Sequence, residues 1–301
     1  YRRQRQMCIR DSSWTIYSVG GGALANEASR LETPRSIYPL STISEIKEWC
    51  YHEGKTFWEY VSDCEGPEIW DYLDTVWETM CATIQRGLNN DGVLPGGLKV
   101  ARKASTYWVK SKSYTDSLSS RAKIYAYALA TSEENASGGT VVTAPTCGSS
   151  GVMPAVLYHL STSRNFLRIR ILRALATAGL FGNVAKTNSS ISGAEVGCQG
   201  EVGVACAMAA AAACQLFGGT PSQIEYAAEM GLEHHLGLTC DPVCGLVQVP
   251  CIERNAIAAA RAFDANAYAT LSDGSHMVSF DKVVEVMNET GHALPLSLIH
   301  I

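Results

Sequence analysis

Residues 190–214 read SISGAEVGCQGEVGVACAMAAAAAC, and this stretch decides the fold. Its second half, from Val202 to Cys214, is an apolar run rich in alanine. At 13 residues the run is too short to cross a bilayer, because a spanning helix needs about 20. A helix that is apolar on all sides is normally buried among other elements. The stretch therefore predicts a buried helix, with Cys206 and Cys214 as core residues.

The first half of the same stretch surrounds Cys198 with three glycines, Gly193, Gly197 and Gly200. Each glycine costs about 1 kcal/mol inside a helix. Such a cost indicates that the backbone closely approaches something, either a neighbouring helix or a ligand. The sequence leaves both alternatives open.

Helical signals dominate from Ser41 onward, where apolar residues recur at steps of three and four. We expect helices over residues 41–54, 67–88, 116–137, 152–160, 166–185, 194–217, 221–236, 251–267 and 279–292. Strand signals are confined to residues near 13–20 and 140–143. The pattern predicts a mainly α fold: a helical domain over 41–294, preceded at 13–40 by a short remnant of an α/β domain.

Both ends of the chain look foreign to this fold. Residues 1–12 (YRRQRQMCIRDS) and 295–301 (PLSLIHI) show neither hydrophobic periodicity nor helix caps. We expect both segments to be non-native and the chain to be a fragment of a longer protein.

The amino-acid composition argues against a nucleic-acid-binding protein and against a secreted protein stabilised by disulfides. The net charge of −5 over 301 residues offers no basic surface, so a nucleic-acid partner is not expected. The chain opens with no signal segment, and its cysteine count of 11 is odd for a disulfide scaffold. We therefore expect a cytoplasmic protein, with no membrane association, whose thiols are free or bound to metal.

The segment TAPTCGSSG at 143–151 precedes the helix expected at 152–160. Backbone N–H groups at a helix N-terminus, together with hydroxyls nearby, can hold a carboxylate or a phosphate. An ordinary helix cap would have the same composition. The segment is thus a candidate anion site.

Three cysteines stand in unusual surroundings: Cys198, Cys240 and Cys251. Thiolates are soft ligands suited to iron–sulfur chemistry. The spacing, with 41 and then 10 residues between them, is uninformative and unlike the compact runs of electron carriers. A zinc half-site at Cys240 and Cys244 lacks a second pair with short spacing.

The chain resembles the iron–sulfur L-serine dehydratases, or L-serine ammonia-lyases, over residues 15–294. Six segments in order carry the resemblance: YSVGGG, EENASGGTVVTAPT, NSSISGAEVGCQGEVGVAC, GLEHHLGLTCDPV, GLVQVPCIERNAIA and SFDKVVEVMNETG. It implies a helical catalytic domain that holds a 4Fe–4S cluster on Cys198, Cys240 and Cys251. It also implies β-elimination of water from L-serine to pyruvate and ammonia, as in amino-acid degradation and gluconeogenesis, with the open iron as Lewis acid.

The resemblance also suggests residues that bind substrate and transfer protons. We expect His234 and Lys186 to be catalytic, with Ser190 and Glu201 near the cluster and Arg254 paired with a carboxylate. The other interpretation of Lys186 and Glu201 is a charge pair between helices. The expected substrate-binding residues are Thr143, Thr146, Gly148, Ser149, Ser150 and Asn188.

Two departures from the family's pattern accompany the resemblance. Family members carry an upstream domain with a Ser-Ser-His-Thr segment that this sequence lacks, so we expect a separate or lost domain or subunit and an oligomer. Many members also finish with a cysteine-bearing tail that reaches the cluster, whereas residues 295–301 here read PLSLIHI. Cys147 and Cys244 are further thiols to which the resemblance gives no role.

Three alternative functions stay open. They are an iron–sulfur L-cysteine desulfidase, a non-catalytic cluster-binding helical module, and a pyridoxal-phosphate dehydratase. The last needs a Schiff-base lysine, and no lysine here lies in a convincing phosphate-loop context.

Overall fold

The computed structural model describes residues 4–9, 12–18, 24–26 and 37–295. The N-terminal residues form an antiparallel sheet of strands β1 (Gln4–Ile9), β2 (Ser12–Ser18) and β3 (Leu24–Ala25), in that order. The strand expected near 13–20 is therefore β2. The prediction that 1–12 and 295–301 are non-native falls partly outside the described residues, which omit 1–3, 10–11 and 296–301.

Helices make up most of the rest, and the mainly α class is confirmed. The described residues contain twelve α-helices: α1 (Ile43–Glu53), α2 (Phe57–Glu65), α3 (Glu68–Leu88), α4 (Ala104–Ser111), α5 (Asp116–Ala136), α6 (Val152–Arg164), α7 (Arg168–Asn188), α8 (Gly193–Val196), α9 (Val204–Leu216), α10 (Pro221–Glu233), α11 (Cys251–Leu271) and α12 (Phe280–Ala293). None of those described has the length and apolar character needed to cross a membrane.

Helix α9 lies at the centre and packs against α6, α7, α10 and α11. All of its residues except Gln215 are buried, as expected of a helix that is apolar all round. Small side chains let its neighbours approach closely: a Cβ on Gly231 of α10 would stand 2.9 Å from Cα of Ala207. Cys206 and Cys214 are fully buried, which confirms both as core residues.

The single helix expected over 194–217 is wrong, because the chain breaks ahead of α9. Gly197 follows α8 with φ 76° and ψ −176°, a conformation open essentially to glycine alone. A Cβ there would also lie 2.6 Å from the carbonyl oxygen of Leu238. A π-helical turn, Gln199–Gly203, then leads into α9. Cys198 consequently lies in a break between helices, and the backbone at this break sets the orientation of its side chain.

Two short helices, α2 and α4, were not expected, and the strand expected at 140–143 is absent from the described residues. The carbonyl of Thr140 accepts hydrogen bonds from Oγ1 of Thr83 (2.8 Å) and Nη2 of Arg86 (2.7 Å). Side chains of α3 thus satisfy this backbone group, as a neighbouring strand would otherwise do.

Candidate metal centre

The three cysteines come from three separate segments. Cys198 lies between α8 and the π-helical turn, Cys240 on the loop after α10, and Cys251 at the first position of α11. Cys198 and Cys251 are buried and Cys240 is half-buried, and all three are free thiols. The break at Gly197 and the start of α11 thus position two of the three sulfurs.

The three thiols influence one another electrostatically. Hydrogen bonding between the Cys198 and Cys240 side chains lowers the pKa of Cys198 and raises that of Cys240. Burial, followed by the negative charge of Cys198, raises the pKa of Cys251 to about 12. The structure therefore brings Cys198 and Cys240 together, with Cys251 near enough to be affected by the charge of Cys198.

Glu201 adds a carboxylate to this site. Its ligand atom and the sulfurs of Cys198 and Cys240 all lie within 4.8 Å of one another. Oε1 accepts a hydrogen bond of 2.8 Å from Oγ1 of Thr146. Burial raises the pKa of Glu201, and the Thr146 bond partly offsets that rise.

Gly193 explains how these groups come so close. A Cβ on Gly193 would stand 2.5 Å from Oε2 of Glu201 and 2.9 Å from Sγ of Cys240. Gly193 thus closely approaches Glu201 and Cys240, and Gly197 approaches the backbone of Leu238, so the close contacts are with the chain's own atoms and the ligand alternative stays a prediction.

The 143–151 loop lies beside the carboxylate. Thr146 and Ser149 form a capping box, with their hydroxyl oxygens 3.1 Å apart. A Cβ on Gly148 would lie 3.2 Å from Oε1 of Glu201. The hydroxyl of Ser150 is buried without a hydrogen-bond partner among the described residues. Four of the residues expected to bind substrate, Thr146, Gly148, Ser149 and Ser150, therefore lie together here.

Asn255 is a site residue that the sequence analysis missed. It is fully buried on α11, and its Nδ2 donates to the carbonyls of Gly148 (2.7 Å) and Cys251 (2.9 Å). Its Oδ1 accepts from the backbone N–H of Gly151 at 2.9 Å. One amide thereby joins the 143–151 loop to the helix that carries Cys251. An asparagine one turn after a cysteine in an alanine-rich helix was a signal that could have revealed it.

Arg254 holds the Cys240 loop. Its Nη1 donates to the carbonyl of Thr239 at 2.7 Å, and its Nη2 lies 3.4 Å from Oδ1 of Asp241. The carboxylate beside Arg254 is thus one of the chain's own. The guanidinium also lowers the pKa of the Cys198 thiol.

Lys186 and Thr143 line a cleft of about 340 Å³ between α2, α3 and α7, together with Pro145 and Ile191. In the described part of the chain no ion pair joins Lys186 to Glu201, whose Oε1 accepts from Thr146 instead, so the interpretation as a charge pair between helices is wrong. The cleft borders the 143–151 loop through Thr143 and Pro145.

Asn188 and Ser190 make local contacts. Nδ2 of Asn188 donates to the carbonyls of Ser41 (2.8 Å) and Val184 (3.0 Å), which ties α7 to the segment before α1. The hydroxyl of Ser190 donates to Glu195. Their predicted roles near substrate stay predictions.

The two histidines face different surroundings. His234 is exposed, with Nδ1 2.9 Å from the carbonyl of Met230, and it lines a groove with Arg261 and Asp264. His235 is buried and bonded through Nδ1 to the carbonyl of Gly231 at 2.7 Å. Burial lowers its pKa to about 4. The catalytic role expected of His234 stays a prediction.

The family described as Serine dehydratase alpha chain matches residues 19–300. The chain belongs to this family. An L-serine dehydratase of Streptomyces coelicolor is 46% identical over 290 residues, covering 92% of this chain and 64% of that protein. L-serine dehydratase 1 of Escherichia coli K12 is 46% identical over 296 residues, covering 93% and 64%. A Haemophilus influenzae L-serine dehydratase is 44% identical over 291 residues, covering 92% and 64%.

The match to the serine dehydratase alpha chain family confirms the resemblance seen in the six sequence segments. Cys198, Glu201, Cys240, Cys251 and Asn255 all lie within the matched residues. The chain spans 64% of the length of these curated relatives.

Proposed function

We propose that this chain acts as an iron–sulfur L-serine ammonia-lyase, which eliminates water from L-serine and yields pyruvate and ammonia. The observation that carries the proposal is the close approach of Cys198, Cys240 and Glu201 beside the 143–151 loop, with Cys251 near enough to be affected by the charges of Cys198 and Glu201. The names of the relatives, all L-serine dehydratases, support the same reaction.

The donor set fits an iron–sulfur cluster. Three free thiols, each affecting the ionisation of another, are the soft ligands that such clusters take. Cys198, Cys240 and Cys251 would hold a 4Fe–4S cluster. When bound, the cluster would supply a Lewis-acidic iron that polarises the substrate hydroxyl.

The 143–151 loop would hold the substrate carboxylate. Ser150 has a buried hydroxyl without a partner in the described residues, and it precedes α6, a helix of 13 residues. Helix N-termini favour anions through their N–H groups and dipole. Thr143 and Lys186 line the adjoining cleft, where Lys186 would accept or donate a proton.

The decisive experiment is anaerobic reconstitution of the purified chain with iron and sulfide, followed by addition of L-serine. We expect absorbance and EPR spectra of a 4Fe–4S cluster, a spectral response to serine, and pyruvate formation. A cluster that ignores serine would favour the non-catalytic helical module. A cluster that releases sulfide from L-cysteine faster than ammonia from L-serine would favour the cysteine desulfidase.

A longer relative, reconstituted and assayed in the same way, is the control for activity of the chain alone. If the chain assembles a cluster but forms no pyruvate while the relative does both, the cluster assignment stands and activity requires more than the residues present here. We further propose a reducing compartment such as the cytoplasm, because the ten cysteines from Cys50 to Cys251 are free thiols.

A further inference from the structure

Cys198, Glu201 and Cys240 form a compact set of ligands that differs from the cluster-binding set. Among the described residues, these are the three whose ligand atoms all lie within 4.8 Å of one another. Cys251 is not in the set, whereas Glu201 is. We propose that, in the cluster-free chain, Cys198, Glu201 and Cys240 bind a single thiophilic divalent cation, and Zn²⁺ is the cation that suits this donor set.

The spacing of the ligand atoms supports one ion. Zn²⁺ binds sulfur at about 2.3 Å and carboxylate oxygen at about 2.0–2.2 Å. Three atoms that already lie within 4.8 Å of one another can reach such a shell by small side-chain movements. In a four-iron cluster each cysteine binds a different iron, so the sulfurs stand farther apart than ligands that share one ion.

The donor chemistry also supports it. Thiolate and carboxylate are both established ligands of Zn²⁺, and a fourth position can be filled by water. Ligating carboxylates are usually oriented by a hydrogen bond from a neighbouring residue. Glu201 has that support from Thr146, and Gly193 leaves room for Glu201 and Cys240 to approach.

The two sets of ligands share Cys198 and Cys240 and differ in one member each. The single ion uses Glu201, and the cluster would use Cys251. The ion and the cluster therefore exclude each other, and Zn²⁺ bound to the cluster-free chain blocks cluster assembly.

The test measures binding of Co²⁺ and Zn²⁺ to the metal-free chain by equilibrium dialysis in oxygen-free buffer without added thiols. Co²⁺ also reports sulfur ligands through its charge-transfer absorption. We expect one equivalent to bind, and Glu201→Gln or Cys240→Ser to weaken binding by about tenfold or more. Cys251→Ser should stay within about twofold of the parent chain. Glu195→Gln is the matched control, because Glu195 is exposed and lies in the same segment.

Cluster assembly gives the reciprocal measurement. Cys251→Ser should lose the cluster, whereas Glu201→Gln should retain it and should no longer be blocked by one equivalent of Zn²⁺. Far-UV circular dichroism verifies that each variant is folded.

Three results would overturn the ion site: no binding by the parent chain, equal binding by Glu201→Gln, or a loss in Cys251→Ser as large as in Cys240→Ser. The ion site does not depend on the proposed function. A parent chain that binds Co²⁺ through Glu201 but never assembles a cluster would refute the proposed cofactor and leave the ion site standing.

Discussion

Thr146 donates a hydrogen bond of 2.8 Å from Oγ1 to Oε1 of Glu201, and this bond joins the 143–151 loop to the π-helical turn. Replacing Thr146 by valine keeps the shape and removes the donor. We expect a loss of about 1–3 kcal/mol in the free energy of unfolding, because a half-buried carboxylate loses its partner. Urea denaturation of the metal-free chain measures it. Thr146→Ser keeps the donor and should lose less, and equal losses in both variants would assign the effect to packing.

The three predicted cluster ligands should behave differently from the two exposed thiols. Changing Cys198, Cys240 or Cys251 to serine should each abolish the cluster after anaerobic reconstitution, since serine is a poor substitute for a soft thiolate. Iron and sulfide content and visible absorbance provide the measurement. Cys147→Ser and Cys244→Ser are controls at exposed cysteines and should retain the cluster. Loss in either control, combined with retention in one of the three, would refute the ligand assignment.

The break before Cys198 should depend on Gly197. Alanine at Gly197 would have to adopt φ 76° and ψ −176°, which costs on the order of 1–3 kcal/mol, and its Cβ would lie 2.6 Å from the carbonyl oxygen of Leu238. We expect lower stability and weaker cluster retention, measured by urea denaturation and iron content. Gly179→Ala is the control: Gly179 lies inside α7 with no atom within 4 Å of an added Cβ, so alanine should be neutral or stabilising by up to about 1 kcal/mol. Similar behaviour of the two variants would contradict the account of the break.

The sequence was sufficient for the helical class and for most helices because their apolar periodicity is strong and their caps are local. The capping box of α1, in which Thr42 bonds to the N–H of Glu45, is an example. The break at Gly197 was not foreseeable in this way. It depends on contact with Leu238, which lies 41 residues further along the chain.

In the candidate site, too, some features could be predicted from local sequence and others depend on contacts between distant segments. Cys198, Cys240 and Cys251 could be selected from their surroundings and from the family resemblance. The approach of Cys198 and Cys240 to Glu201, with Cys251 nearby, requires the tertiary packing of three segments. The role of Asn255 likewise follows from bonds to residues more than 100 positions away in sequence, which no local pattern encodes.

The stability of the chain should be sensitive to replacement of the Asn255 side-chain amide by a carboxylate. In Asn255→Asp the amide that donates to Gly148 and Cys251 becomes a carboxylate oxygen facing two carbonyl oxygens. We expect the free energy of unfolding to fall by about 3 kcal/mol or more, because two buried acceptors lose their donor and a charge is buried. Urea denaturation at pH 8 measures it. Asn165→Asp, at an exposed position, should change stability by less than about 1 kcal/mol. A comparable small effect at Asn255 would mean that the loop and α11 are held by other contacts.

His159 should make stability fall in mild acid. It is buried on α6, with Nε2 2.9 Å from the hydroxyl of Ser120 and Nδ1 without a partner among the described residues. Burial lowers its pKa from 6.5 to about 4. Between these values the unfolded chain binds a proton that the folded chain does not, so stability decreases as pH falls from 6.5 towards 4. At pH 8 the imidazole is neutral in both states, and His159→Gln shows only its packing cost. On going to pH 5 the stability of the parent chain relative to this variant should decrease by about 2 kcal/mol.

Ser120→Ala retains the buried imidazole and should keep the pH dependence of the parent chain. Parallel pH profiles for the parent chain and His159→Gln would show that His159 binds its proton equally well in the folded state.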